Sequence, residues 1–240
     1  EKVEPRVIRP LDLSEGLFLY KFLGGIIMSY LISVFPQLLS GAAITLQLFS
    51  LTLVFSIPLG ILAGFALVSS FKPLRWLTQA YVWLMRGTPL LLQLIFVFYG
   101  LPLLGIVFDR FEAALFAFVL NYAAYFAEIF RGGIQSIPVG QYEAAQVLRL
   151  TKRQTITKII IPQVVKITLP SVGNEVISLV KDTSLIYILG LSDVMRMGKI
   201  AMERDTTLLP LLGVAIIYLF LTGVFTVLLK KIESHYQYYR

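Results

Sequence analysis

Residues 208–229 read LLPLLGVAIIYLFLTGVFTVLL, an apolar run without a single charge that ends at Lys230 and Lys231. In a helix, about 20 such residues cross the ~30 Å hydrocarbon layer of a bilayer, so this run is expected to span a membrane. Moving outward, residues 39–69, 89–107 and 111–130 meet the same criterion, and 167–191 meets it less cleanly because it carries Asn174, Glu175, Lys181 and Asp182. The whole chain is 57% hydrophobic and only 15% charged, with a mean hydropathy of +0.80. Soluble domains devote about a quarter of their residues to charge. Too little polar surface exists here to cover the apolar surface, so lipid must solvate much of it. The expected fold class is all-α, a polytopic membrane protein with about five transmembrane helices.

The net charge of +7 does not point to nucleic acid, because the basic residues sit in short connectors between the apolar runs. Lys and Arg in such connectors are retained on the cytoplasmic side. Segment 131–166 holds Arg131, Arg149, Lys152, Arg153, Lys158 and Lys166 against Glu143 alone, and Lys72 and Arg75 follow the first span. Both connectors, and the tail after Lys231, are expected inside. The loops around Asp109–Glu112 and Asp193–Asp205 nearly balance their charges and are expected outside. Stretch 17–35 is apolar but interrupted by Lys21, Gly24 and Gly25, and Asp12 with Glu15 resembles a helix-start capping box. It reads as a helix lying in the outer interface rather than as an extra span. The layout expected is an N-terminal extension over 1–36, a core over 37–232 and a cytoplasmic tail over 233–240. The first residue is glutamate, so the expectation is a piece of something longer, with its N-terminus outside.

Cysteine is absent, which excludes disulfides, thiolate metal sites and cysteine nucleophiles. The one histidine, His235, has no cluster of partners in the tail. No Gly-x-x-x-x-Gly-Lys-Ser/Thr loop is present to cradle nucleotide phosphates. No catalytic residue, metal or cofactor is expected in this chain. Segment 133–166, in contrast, is too ordered to be a tether. Gly140-Gln141-Tyr142-Glu143-Ala144-Ala145-Gln146-Val147-Leu148-Arg149 is followed by Thr151 and Gln154, a capping-box pair that starts a second short helix. Pro162 disfavours helix at the residue before it, so this helix is expected to stop near Ile161. Small Ala144 and Ala145 would allow a partner close approach.

Glu143-Ala144-Ala145, with Ile159-x-Ile161-Pro162 downstream, resembles the EAA coupling motif of bacterial ABC importer permeases. Together with Arg86-Gly87-Thr88-Pro89, Gly173-Asn174-Glu175 and Lys181-Asp182-Thr183-Ser184-Leu185, the chain resembles the polar amino acid permease family over about Pro36 to Ile232. Members of that family import histidine, glutamine, glutamate or basic amino acids across the bacterial inner membrane. The resemblance implies a type I ABC importer transmembrane domain, paired with a second permease copy or homologue. It also implies separate ABC ATPase subunits, which carry the ATP and Mg, and an extracellular substrate-binding protein or a receptor domain fused upstream. The coupling role falls on Gly140, Glu143, Ala144, Ala145 and Arg149. Two departures stand out: Arg149 occupies a position usually held by glycine, and Trp83 and Leu84 stand where an acid is frequent. Arginine at 149 is expected to impose a different turn or a new charge contact with the partner.

Charges within spans are costly and therefore read as functional. Asn121, Tyr125 and Glu128 fall at i, i+4 and i+7 on one helical face. Glu175, Ser178 and Asp182 share another stripe, and Asn174, Ser178 and Lys181 an adjacent one. Lys181 and Asp182 are about 100° apart around a helix and meet other groups rather than each other. A pocket offering Lys181 to a carboxylate, and Asp182, Glu128 or Asn121 to an ammonium, complements an amino acid zwitterion. The candidate substrate contacts are Asn121, Tyr125, Glu128, Glu175, Lys181, Asp182 and Ser184. Interhelical ion pairs are the competing use of the charged members, and Arg86-Gly87-Thr88-Pro89 reads as fixing the start of the second span. A different class, an ion-coupled carrier or channel working without an ATPase, would use Lys181, Asp182 and Glu128 as a relay.

Overall fold

The structure, a computed structural model, describes residues 13–236, with side chains from Gly24 onward. The Asp12–Glu15 pattern, the rest of the extension before residue 13 and the last four residues lie outside the described residues. Every regular element described is helical. The chain runs through α1 (Leu13–Ser40), α2 (Ala42–Leu67), α3 (Lys72–Gly87) and α4 (Leu90–Ile95), the last continued by a π turn at Phe96–Gly100 and a 3-10 turn at Leu101–Leu104. There follow α5 (Arg110–Gln135), α6 (Val139–Val147), α7 (Lys152–Gln154), a π turn at Thr155–Ile160, α8 (Ile161–Asp182), a 3-10 turn at Thr183–Leu189, α9 (Val194–Asp205) and α10 (Leu209–Tyr236). Four stretches are long and apolar enough to cross a bilayer: Ala42–Leu67, Arg110–Gln135, Lys152–Leu189 and Leu209–Tyr236. A bent pair, Lys72–Gly87 and Leu90–Leu104 at 104°, is apolar enough to make a fifth if the two count as one span.

The tightest contact joins α2 to α5. Between apolar helices in lipid, association depends on packing, and small residues let the backbones approach. Thr52, Ser56, Gly60 and Gly64 recur every fourth residue along α2, all buried. A Cβ placed on Gly60 would lie 2.4 Å from the Phe126 Cβ, and one on Gly64 would lie 3.0 Å from that of Phe130. From α5, Ala123, Ala124 and Ala127 are buried, and so is Phe126. Beyond this seam the core continues through Leu48, Phe118, Tyr122, Leu179 and Ile186, with the Phe49 and Phe225 rings 4.5 Å apart.

Four local expectations change. The connector holding Lys72 and Arg75 is not a loop but helix α3, opened by Pro73 in its first turn. The second span starts after Pro89 as expected, but its α-helix holds only over Leu90–Ile95 before the π and 3-10 turns. Pro89 drives Thr88 into an extended conformation (φ −119°, ψ 145°), which ends α3 and redirects the chain. The second short helix does not stop near Ile161. The π turn shifts hydrogen bonding by one residue, with the Ile161 amide donating to the Ile156 carbonyl, and Pro162 then sits in the first turn of α8 where its missing N–H costs little. The span consequently begins well before residue 167. Finally, α1 is one helix of 28 residues that continues through Pro36, longer than the 17–35 stretch, with Val34 and Leu38 buried against α9 and α10.

The α9 segment fastens α1 at its far end. The Tyr30 hydroxyl donates to Asp205 at 2.5 Å and Arg204 donates to Gln37 at 3.0 Å. Asp193, fully buried, caps α9 by accepting from the amides of Met195 and Arg196 at 3.0 and 3.1 Å. Burial pushes its carboxyl up to about 6 despite these bonds.

If the α2–α5 seam holds the bundle, Gly60→Ala should lower stability by about 1–3 kcal/mol, because neither backbone can retreat. Gly132→Ala, where an added Cβ meets nothing within 4 Å, should not. Thermal unfolding of the detergent-purified chain separates the two outcomes, and equal behaviour of both variants would contradict the packing.

Candidate substrate cavity and coupling helix

A cavity of about 670 Å³ opens where α5 and α8 face the break between α3 and α4. Helix α5 contributes Asn121, Tyr122 and Tyr125, and α8 contributes Glu175, Ser178, Lys181 and Asp182. The break supplies Arg86, Thr88 and Pro89. Two cations, Arg86 and Lys181, thus stand against two carboxylates, Glu175 and Asp182, so the charge of the cavity is balanced. The i, i+3, i+7 spacing of Glu175, Ser178 and Asp182 brings all three to this one wall.

The groups are held in place by hydrogen bonds that the spacing does not reveal. The Tyr122 hydroxyl donates to Asp182 Oδ2 at 2.7 Å, leaving the other carboxylate oxygen available. Asn121, 4% exposed, donates through Nδ2 to the Met85 carbonyl at 3.1 Å and to Gln93 Oε1 at 3.0 Å. Gln93 in turn donates to the Met85 and Thr88 carbonyls and to Thr88 Oγ1. These two amides therefore satisfy the backbone carbonyls freed by the break, which are costly to leave unpaired in an apolar bundle. Asn121 lines the cavity with its donors already engaged, which reduces its capacity to bind cargo directly. The Arg86 guanidinium lies over the Tyr125 ring, 5.3 Å from its centroid.

Two candidate contacts are not brought here. Glu128 is gripped by Arg131 through a two-point contact and lies 3.9 Å from Arg86, in a neighbouring cavity. One turn separates Glu128 from Arg131, and the pair forms along the helix before any cargo contact can. Ser184 falls in the 3-10 turn after α8 and does not line the cavity, because the change of helix type alters the rotation per residue after Asp182. Conversely, Arg86 and Tyr122 line it without having been singled out as contacts. Arg86 had an available signal, a charge beside a Pro-marked break, whereas the Tyr122–Asp182 pair is separated by 60 residues and had none.

Helix α6 stands at the surface. Gly140, Glu143 and Ala144 are exposed, as are Val139 (69%), Val147 (83%) and Leu148 (70%). Ala145 is not available to a partner as expected. It is 1% exposed, because consecutive helical residues point about 100° apart and this one turns toward the π turn on which α6 rests. Arg149 does not impose a different turn either. It adopts the left-handed conformation itself, at φ 53°. Its amide donates to the Gln146 carbonyl and that of Leu150 to the Ala145 carbonyl, the two bonds of a Schellman end. These bonds pay the cost of a side chain in that region, and no ion pair of Arg149 is present among the described residues.

A family model described as "Binding-protein-dependent transport system inner membrane component" matches residues 56–237. The arginine transport system permease protein ArtQ of Bacillus subtilis (strain 168) is 38% identical over 200 residues, covering 82% of this chain and 91% of that protein. The putative glutamine transport system permease protein GlnP of Rickettsia conorii (strain ATCC VR-613 / Malish 7) is 35% identical, covering 85% and 96%. A crystal structure of an amino acid ABC transporter with histidines superposes with a TM-score of 0.79 at 34% identity, covering 85% of this chain and 96% of that one.

The Arg149 turn has a measurable cost. Arg149→Gly should raise the thermal midpoint of the purified chain by about 1–3 °C, since glycine adopts φ > 0 without a Cβ penalty. A lower midpoint would show that the arginine side chain contributes more than the backbone strain removes.

Proposed function

The chain belongs to the family of binding-protein-dependent transport system inner membrane components, and from that premise we propose that it imports polar or charged amino acids through the cavity between α5 and α8. It is the permease subunit of an amino acid ABC transporter and is not itself catalytic. The observation that carries the substrate reading is the convergence of Arg86, Lys181, Glu175 and Asp182 on one cavity in an otherwise apolar bundle. Lys181 and Arg86 are suited to the α-carboxylate of the cargo, and the free oxygen of Asp182 to its ammonium. Glu175, about two helical turns from Asp182 along the same wall, is left for a polar or cationic side chain. Tyr122 and Tyr125 line the α5 side of the same cavity.

Two ATPase subunits, which hold the ATP and Mg, grip the exposed face of α6. There Glu143 offers a carboxylate, Gly140 and Ala144 permit close approach, and Val139, Val147 and Leu148 supply apolar area. A second permease copy or homologue completes the pathway, and an external binding protein or a fused receptor domain delivers cargo. Closure of the ATPase pair moves α6, and through the π turn on which α6 rests, and α8 beyond it, moves the α8 wall of the cavity. In this reading α6 lies on the cytoplasmic side of a bacterial inner membrane with the C-terminus, and the N-terminus lies outside. An ion relay through Lys181, Asp182 and Glu128 fits less well, because Glu128 is held by Arg131 away from the other two.

The test is uptake by the chain reconstituted with its ATPase, measured across arginine, histidine, glutamine and glutamate. Asp182→Asn and Lys181→Met should each cut uptake by about tenfold or more while the subunits still co-purify. Glu143→Ala should weaken co-purification and uptake together. Amino acid uptake by the isolated chain without ATP would contradict the proposal.

A further inference from the structure

A second cavity, of about 990 Å³, lies between α3 and α5 and shares Arg86 and Gly87 with the first. Its α3 wall presents Arg75, Gln79, Val82 and Arg86, spaced at i, i+4, i+7 and i+11, and so on one face. The α5 wall presents Glu128, Arg131 and Gln135 at i, i+3 and i+7. With Asn121 and Tyr125 in the first cavity, these make one polar ladder along α5. From residue 121 to residue 135 it extends roughly 21 Å at the rise of an α-helix. Polar and charged groups over such a length of a spanning helix persist only where water or protein faces them.

The two cavities differ in charge. In the first, cations and carboxylates balance. In the second, the guanidinium groups of Arg75, Arg86 and Arg131 face Glu128 alone, an excess of two positive charges. Arg131 is occupied by Glu128 and by Gln135 at 2.5 Å, and Arg86 stands 3.9 Å from Glu128. Arg75 has no hydrogen bond or ion pair from its side chain among the described residues. A guanidinium lining a cavity without a partner is a site prepared for an oxyanion.

We propose that this second cavity is a release station that binds the carboxylate of the amino acid after it leaves the first, with Arg86 serving both sites in turn. The inference rests on the amino acid reading above and adds to it a second site, placed inward of the first because Arg75 and Arg131 belong to the basic connectors expected inside. Arg86, stacked on Tyr125 at the boundary, can hold the carboxylate of the cargo from either side. Beyond it, Arg75 and the Arg131–Glu128 pair offer the next carboxylate and ammonium partners. An anionic lipid headgroup or a cytosolic phosphate carries the same oxyanion chemistry, and the experiment has to separate these sources.

The sequence contains two tryptophans, and Trp83 lines this cavity, 77% exposed. In the full chain carrying Trp76→Phe, purified in uncharged detergent, Trp83 is the sole indole and reports on the cavity. The quenching of Trp83 by iodide relative to caesium, at equal ionic strength, should exceed the same ratio for free N-acetyltryptophanamide at least about twofold, because the local potential is positive. Arg75→Gln should bring iodide down by about half, with neutral acrylamide unchanged. At least one of arginine, histidine, glutamine and glutamate should protect Trp83 from iodide, and should still do so when Asp182→Asn has disabled the first cavity. An iodide-to-caesium ratio no higher than that of free N-acetyltryptophanamide overturns the site. Protection by phosphatidylglycerol micelles or inorganic phosphate, with none from any amino acid, assigns the cavity to that anion and overturns the release station. Normal uptake with Trp83 unprotected by every amino acid overturns the second site alone. Protection of Trp83 in a complex that takes up no amino acid would leave the carboxylate site standing and overturn the transport reading.

Discussion

The structure depends on α5 having two incompatible faces. One is made of small and aromatic residues that close on α2 with no room for a Cβ at Gly60. The opposite face carries Asn121, Tyr125, Glu128, Arg131 and Gln135. Each polar group on a spanning helix must find water or a partner, so the polar face obliges α3, α4 and α8 to stand off and leave space, while the sealed face fixes where that space lies. The two cavities beside α5 follow from this asymmetry.

The break between α3 and α4 is the second device. Pro89 forces it, and a broken helix exposes carbonyls that an apolar bundle cannot leave unsatisfied. Gln93 and Asn121 supply the missing donors. The same geometry sets Arg86 at the junction of two cavities, where a straight helix would have carried it past. A structural repair and a functional placement are thus one arrangement. At the other end, the π turn at Thr155–Ile160 carries the chain from α7 into α8, with Pro162 in the first turn of α8.

Much of this was legible in the sequence wherever the signal is local. Apolar length marked the spans, the four- and three-residue spacings placed Asn121 with Tyr125 and Glu175 with Ser178 and Asp182, and the Thr151–Gln154 pair marked a helix start that the structure retains. What was illegible needed the third dimension or a competition between signals. Helix α3 mixes Lys72, Arg75 and Arg86 with Trp76 and Trp83, so hydropathy alone hid it. Pro162 signals a stop unless the preceding turn is widened, and nothing in Thr155–Ile160 announces a π turn. Glu128 shares its face with Asn121 and Tyr125, yet it is paired with the arginine one turn away. Arg149 shows that a left-handed position does not require glycine when two backbone bonds close the turn.

The account is tested most directly by asking whether the polar face of α8 is wet. Because the chain has no cysteine, Ser178→Cys introduces a single thiol into the cavity and Leu212→Cys, 52% exposed on α10, introduces one on an apolar surface. With the transporter in lipid vesicles, a charged methanethiosulfonate reagent should modify the thiol at 178 and not the one at 212, and a transported amino acid should slow the first reaction. Modification at 212 with none at 178 would contradict the account, since the α5–α8 face would then be dry and could not pass a zwitterion.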